Sequence, residues 1–164
     1  MGKAYLSLGS NVAPERNLAS AVGALRERFG ALRVSPFYRT AAIGFDGPDF
    51  LNAAAVLDSD LGVHELNDWL HALEDAHGRD RSGSRFGDRP LDIDIVFFDE
   101  LVIEGAGNLR LPRPELKHAF VLKPLADIAP DFIDPLSGKT LAELWARSPE
   151  RELPMAVVAV PSGA

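Results

Sequence analysis

The stretch LDIDIVFF, Leu91 to Phe98, constrains the fold of this 164-residue chain more than any other. In a strand, alternate residues share a face. Leu91, Ile93, Ile95 and Phe97 are therefore expected on one side, with Asp92, Asp94, Val96 and Phe98 on the other. One face is apolar throughout, while the other begins acidic and then enters the core. The Cα atoms of Asp92 and Asp94 should lie roughly 6.5 to 7 Å apart at about 3.3 Å rise per residue. Carboxylates that close repel, and burying them without a counter-charge is costly. Something cationic must share their site: either arginines in a structural ion network or a hard divalent cation.

The flanking elements follow from their own patterns. Lys3 to Asn11 reads as a short strand stopped by Gly9. After Pro14, the recurrence of Leu18, Val22, Leu25 and Phe29 marks an amphipathic helix that Gly30 ends. Leu32 to Thr40 is a strand made irregular by Pro36, and Phe50 to Asp58 is another. Leu66, Trp69, Leu70 and Leu73 form the stripe of a second helix, stopped at Gly78. Glu100 to Gly105 is expected to return as a hairpin partner of the Asp92 strand. Short helices are expected between Lys117 and Ile128 and within Ser137 to Ser148, and the tail from Met155 supplies at most one more strand.

Strand, helix, strand, strand, helix, strand is the ferredoxin-like plan, an α+β fold with helices packed on an antiparallel sheet. One domain over residues 1–164 is expected, with its core at about 3–133 and C-terminal additions from 134. That plan hosts many functions, so the chemistry must come from particular side chains.

Charge narrows the choice. The chain carries a formal net charge of -7, unlike a general nucleic-acid binder. Within residues 79–89, RDRSGSRFGDR, four arginines oppose two aspartates, giving +2 against -9 for the remainder. A basic segment in an acidic protein suits a small polyanion. Arginine matches phosphate with a planar donor fork, and Gly83 and Gly87 allow the loop to close over a ligand. Mg²⁺ prefers oxygen and takes one or two carboxylates, completing its shell with water and phosphate. Arg79, Arg81, Arg85 and Arg89 running into Asp92 and Asp94 thus point to a polyphosphate held with metal. No P-loop motif is present. No apolar run approaches the roughly 18 residues of a membrane span, and no secretory pattern opens the chain. There are no cysteines. A cytoplasmic protein without membrane or nucleic-acid partners is expected, as a monomer.

A third group is PDFLNAA, in which Phe50, Asn52 and Ala54 share a strand face. An aromatic ring beside a carboxamide can recognise a planar heterocycle by stacking and paired hydrogen bonds. His71 and Glu74 are i, i+3 neighbours at one edge of the second helix, a surface pair or a substrate-facing one.

The pieces GSN, FYRTAAIG, PDFLNAA, LEDAHGR and RFGDRPLDIDI, in that order, resemble the 6-hydroxymethyl-7,8-dihydropterin pyrophosphokinase family. The resemblance implies transfer of pyrophosphate from ATP to the pterin's hydroxymethyl oxygen, releasing AMP, in folate biosynthesis. It implies that Asp92 and Asp94 hold two Mg²⁺ ions along the triphosphate, with Asp94 a candidate acceptor of the hydroxymethyl proton. It places Arg79 and Arg89 among the catalytic residues of a loop that closes on the phosphates. Thr40, Ala41, Ala42, Ile43, Phe50, Asn52 and Phe120 would bind the pterin. His71, Glu74, Arg81, Arg85, Phe86, Ile95, Arg113 and His118 would bind ATP.

The chain departs from the family pattern at three of these positions. His71 stands where Gln is frequent, Arg113 where histidine is expected, and His118 near an expected arginine, in a segment one residue shorter. A switched basic pair would preserve charge and is expected to alter ATP affinity or its pH profile. A pterin-binding homologue with lost or altered catalysis is therefore the rival reading. An RNA-binding module would need exposed aromatics where the aspartates stand. A two-metal nuclease would leave Phe50, Asn52 and Phe120 unexplained.

Overall fold

The computed structural model describes residues 1–41, 49–78, 90–104 and 109–159. Strands β1 (Gly2–Ser10), β2 (Leu32–Val34), β3 (Phe37–Thr40), β4 (Phe50–Ser59), β5 (Asp92–Phe98) and β6 (Ala156–Val158) form one sheet in the order β5-β1-β4-β3-β6, with β2 also pairing β4. The first five give the ferredoxin-like arrangement, every pairing antiparallel. Helices α1 (Pro14–Phe29) and α2 (Val63–Ala76) cover one face. A 3₁₀ turn (Pro114–Lys117), α3 (Ala119–Ile128) and α4 (Leu141–Ala146) cover the other.

Residue alternation decides which face each side chain serves. Ala4, Leu6 and Leu8 of β1 join Leu51, Ala55 and Leu57 of β4 beneath Leu18, Val22, Leu25, Leu66 and Leu70. Tyr5, Ala54 and Val56 point the opposite way, against Val121, Leu122 and Leu125 of α3 and Leu141 of α4. Trp69 packs on the first side by an edge contact to Phe29, ring centroids 5.1 Å apart.

Four expectations are corrected. The strand from Leu32 to Thr40 is two strands, because Ser35 leaves the ladder at Pro36. Ser35 still ties both halves to β4: its N–H donates to the Ala54 carbonyl, and its Oγ accepts from the Ala54 N–H at 2.8 Å. Gly9 does not stop β1, which runs on to Ser10 with Gly9 paired to both Asn52 and Asp92. Glu100 to Gly105 is not a hairpin partner of β5 among the described residues. Asp99 and Glu100 form a turn, and Ile103 makes a lone bridge with Leu111. Finally, Phe97 does not follow Ile95, nor Phe98 Val96. Tyr5 opposes Phe97 while Leu6 opposes Ile95, so Val96 is one residue more than β1 can match. This bulge reverses the alternation, sending Phe97 under α3 and Phe98 to the α1–α2 side.

The C-terminal additions contact the same sheet: β6 pairs with β3, and Leu141 is fully buried in the core beneath α3. Among the described residues no helix is long and apolar enough to cross a membrane.

Candidate active site

The bulge lies downstream of the aspartates, so Asp92 and Asp94 keep the facing their alternation predicts, on the α3 side. Register then builds a row across the sheet: Asp92 opposite Gly9, Gly9 opposite Asn52, Asn52 opposite Tyr38. In the adjoining row Asp94 opposes Ser7, which opposes Ala54. Asp92 and Asn52 are two strand spacings apart, about 9 to 10 Å. Gly9 puts no side chain between them, and a Cβ there would come within 3.0 Å of Asn52 Oδ1. The Asn52 amide is buried and donates to Thr40 Oγ1 at 2.6 Å. Gly9 is the residue that reading the sequence for side chains missed. Its signal was present in the GSN motif, but glycine there read as a terminator.

Asp94 faces Arg113, whose Nη2 lies 3.1 Å from Asp94 Oδ1. The Asp94 side chain keeps 37% of its surface open, so it is accessible from solvent. Burial raises its carboxyl pKa to about 6; Arg113 opposes that rise, and Asp92, Glu74 and Glu115 reinforce it. Asp92 and Asp94 supply carboxylate oxygens at the start of β5. That donor set fits a Mg²⁺ site completed by water and phosphate oxygens. Among the described residues no group of three or more His, Cys, Asp or Glu side chains gathers into an all-protein cage.

Glu74 is no surface residue. It is 2% exposed, and its Oε2 accepts the Ile93 N–H at 2.8 Å, from the peptide between the two aspartates. Helix α2 thus holds the start of β5 from behind, while half-buried His71 lies one turn earlier on the same helix. Ile95 is fully buried on the α1–α2 side, so its side chain is not presented to the Asp94 face. Phe50 begins β4 on the Asn52 face, half-buried, and Ala41 is exposed just after β3.

His118 and Phe120 open α3 with rings stacked, centroids 5.2 Å apart and planes 13° apart. The α3 N-terminus has no side-chain cap of its own. Glu150 supplies one from the C-terminal segment: Oε1 accepts the Ala119 N–H at 3.0 Å, and Oε2 lies 3.1 Å from His118 Nδ1. The two basic departures therefore have different neighbours, Arg113 meeting Asp94 and His118 meeting Glu150. Ala42, Ile43, Arg79, Arg81, Arg85, Phe86 and Arg89 lie outside the described residues.

One antiparallel sheet, covered by helices on both faces, thus carries paired carboxylates, an amide and an aromatic on its α3 face. A family profile for 7,8-dihydro-6-hydroxymethylpterin-pyrophosphokinase matches residues 5–130, and the chain belongs to that family. It is 40% identical over 157 residues to the 2-amino-4-hydroxy-6-hydroxymethyldihydropteridine pyrophosphokinase of Pseudomonas aeruginosa, covering 90% of this chain and 92% of that one. The enzyme of the same name from Synechocystis is 39% identical over 145 residues, covering 86% and 73%. In structure, the chain is similar to the wild-type HPPK-DHPS of Plasmodium falciparum, with a TM-score of 0.73 at 13% identity over 92% of its length. It spans about half the length of that solved chain, at 45%.

Proposed function

We propose that this chain transfers pyrophosphate from ATP to the hydroxymethyl oxygen of 6-hydroxymethyl-7,8-dihydropterin, releasing AMP. Asp92 and Asp94 are the residues that would hold two Mg²⁺ ions, one or both carboxylates serving each. The observation that carries this reading is the row Asp92, Gly9, Asn52: an acidic side chain and a buried amide on either side of a glycine, with Asp94 in the next row. Asn52, anchored on Thr40, offers a fixed amide edge to a heterocycle lying over Gly9, and Phe50 on the same face offers an aromatic surface. Phe120 on α3 is the proposed second wall. The hydroxymethyl group would then point toward the aspartates.

Bound divalent cations would offset charge on the phosphate oxygens during transfer. The protein's own contribution is placement. Glu74 fixes the Ile93 peptide and with it the spacing of the two carboxylates. Asp94 is also the proposed acceptor of the hydroxymethyl proton. The arginines of residues 79–89 are proposed to close over the triphosphate, with Arg113 and His118 on its other side.

The test mixes protein, ATP, Mg²⁺ and 6-hydroxymethyl-7,8-dihydropterin and separates AMP from ADP over time. AMP formed one-for-one with pterin diphosphate is the expected result. ADP would mean single phosphoryl transfer and a wrong reaction class. Pterin binding without any product would favour a homologue that has lost catalysis.

A further inference from the structure

Arg113 occupies an unusual position for a residue proposed to serve nucleotide phosphates. Its guanidinium is turned toward the carboxylates: Nη2 is 3.1 Å from Asp94 Oδ1, and Nη1 is 3.8 Å from Glu115 Oε2. Its Nε is buried and finds no hydrogen-bond partner, so the fork is only partly satisfied in this arrangement. The backbone beneath it is fixed, with the Arg113 N–H donating to the Val96 carbonyl at 3.1 Å on the open edge of β5. The same side chain lines a cavity of about 810 Å³ between the Arg110 to His118 segment and the C-terminal residues around Leu144 and Arg147. Arg113 therefore has a fixed base, an incompletely bonded head, and open space to turn into.

Two cations cannot share one carboxylate oxygen at contact distance without strong mutual repulsion. A metal held by Asp94 and the Arg113 guanidinium 3.1 Å from its Oδ1 would therefore each weaken the other's hold on the carboxylate. We propose that Arg113 is a built-in counter-cation of the metal site, neutralising Asp94 when no metal is bound and yielding it when a divalent ion arrives. This rests on the reading of Asp92 and Asp94 as metal ligands. Arg113 thereby sets the affinity for free metal low. The released guanidinium, swung toward the cavity, becomes available to phosphate oxygens only once the metal is in place. The arrangement favours metal and nucleotide entering together over metal alone.

The experiment measures Mn²⁺ binding to the nucleotide-free protein by the loss of free-Mn²⁺ electron paramagnetic resonance signal, and needs no turnover. Arg113→Gln should bind Mn²⁺ about fivefold more tightly than wild type, the scale of one partly exposed ion pair. Lys117→Gln removes the same charge from the same segment without touching Asp94 and should change affinity little. Arg113→Lys, which keeps the charge, should stay near wild type, and it also covers the case in which Arg113→Gln does not fold. Affinity that is unchanged or weakened in Arg113→Gln, or raised equally by Lys117→Gln, overturns the inference while leaving the metal site intact. Asp94→Asn binding Mn²⁺ as well as wild type would instead overturn the metal reading itself, and this inference with it.

Discussion

Asp94 is held at a cost that Arg113 only partly offsets. Its carboxyl pKa lies at about 6, above the ordinary 3.8, chiefly because of burial. A raised acid pKa means that the folded state binds the proton more tightly than the unfolded one. Between about pH 4 and 6 this group's contribution to stability therefore falls as pH rises, reaching its full penalty above pH 6. Asp94→Asn removes that penalty. In the presence of a chelator, the variant's melting temperature relative to wild type should climb from pH 4 to pH 6.5 and then level off. A difference that stays flat across that range would mean the carboxylate is not strained. Gly9 makes the complementary case, a residue that works by leaving space. In Gly9→Ala the new methyl meets Asn52 Oδ1 at 3.0 Å, and the amide must shift by a few tenths of an ångström. The expected result is a rise in KM for the pterin of about tenfold, the worth of one hydrogen bond, with kcat for saturating substrate much less affected. Equal kinetics in both proteins would remove Gly9 from the site.

Among the elements, α3 depends on a residue far from it in sequence. Glu150 accepts the Ala119 N–H where the helix lacks its own cap, and its pKa is lowered first by that bond, then by His118. A lowered acid pKa contributes stability above the unfolded value near 4.5, lost as pH falls through the folded value. Glu150→Gln keeps an oxygen for the Ala119 N–H but loses the charge at the helix start, so it should cost about 0.5 kcal/mol at pH 7, and the gap should close below pH 4.5. Denaturant melts of both proteins at the two pH values check this. The cap also illustrates what the sequence could and could not disclose. Hydrophobic spacing located α1 and α2, and alternation gave the face shared by Phe50, Asn52 and Ala54 of β4, because those patterns are local. The facing of Asp92 and Asp94 was legible for the same reason. The bulge at Val96 was not, since an extra residue shows only against the partner strand. Nor was the role of Glu150, which lies 31 residues from Ala119, or that of Glu74 behind β5. Contacts made by long-range docking leave no periodicity to read.

At the scale of the whole molecule, one sheet serves two helical layers, and the proposed site lies where the sheet meets the second. The α3 layer is fastened at both ends. Glu150 holds its start; near its end Tyr38 of β3 donates to Asp127, and Arg33 of β2 donates to the Ile128 carbonyl. Burial and the Asp127 hydrogen bond hold the Tyr38 pKa far above its usual value, so the phenol remains a donor throughout the accessible pH range. The chain's two tryptophans sit one in each layer, Trp69 on α2 and Trp145 on α4. Single-tryptophan proteins, made with Trp69→Phe or Trp145→Phe, therefore report the layers separately. Because β1, β4 and β5 contribute side chains to both cores, the two reporters should show coincident unfolding. Tyr38→Phe deletes a buried hydrogen bond to a charged group and should lower stability by about 2 kcal/mol. If the layers are thermodynamically one, both reporters shift together by that amount. If Trp145 instead melts at lower denaturant than Trp69 in the variant, the α3–α4 layer can detach from an intact sheet. Phe120 would then belong to a movable wall, whereas coincident shifts place it on the same rigid body as Asn52 and the aspartates.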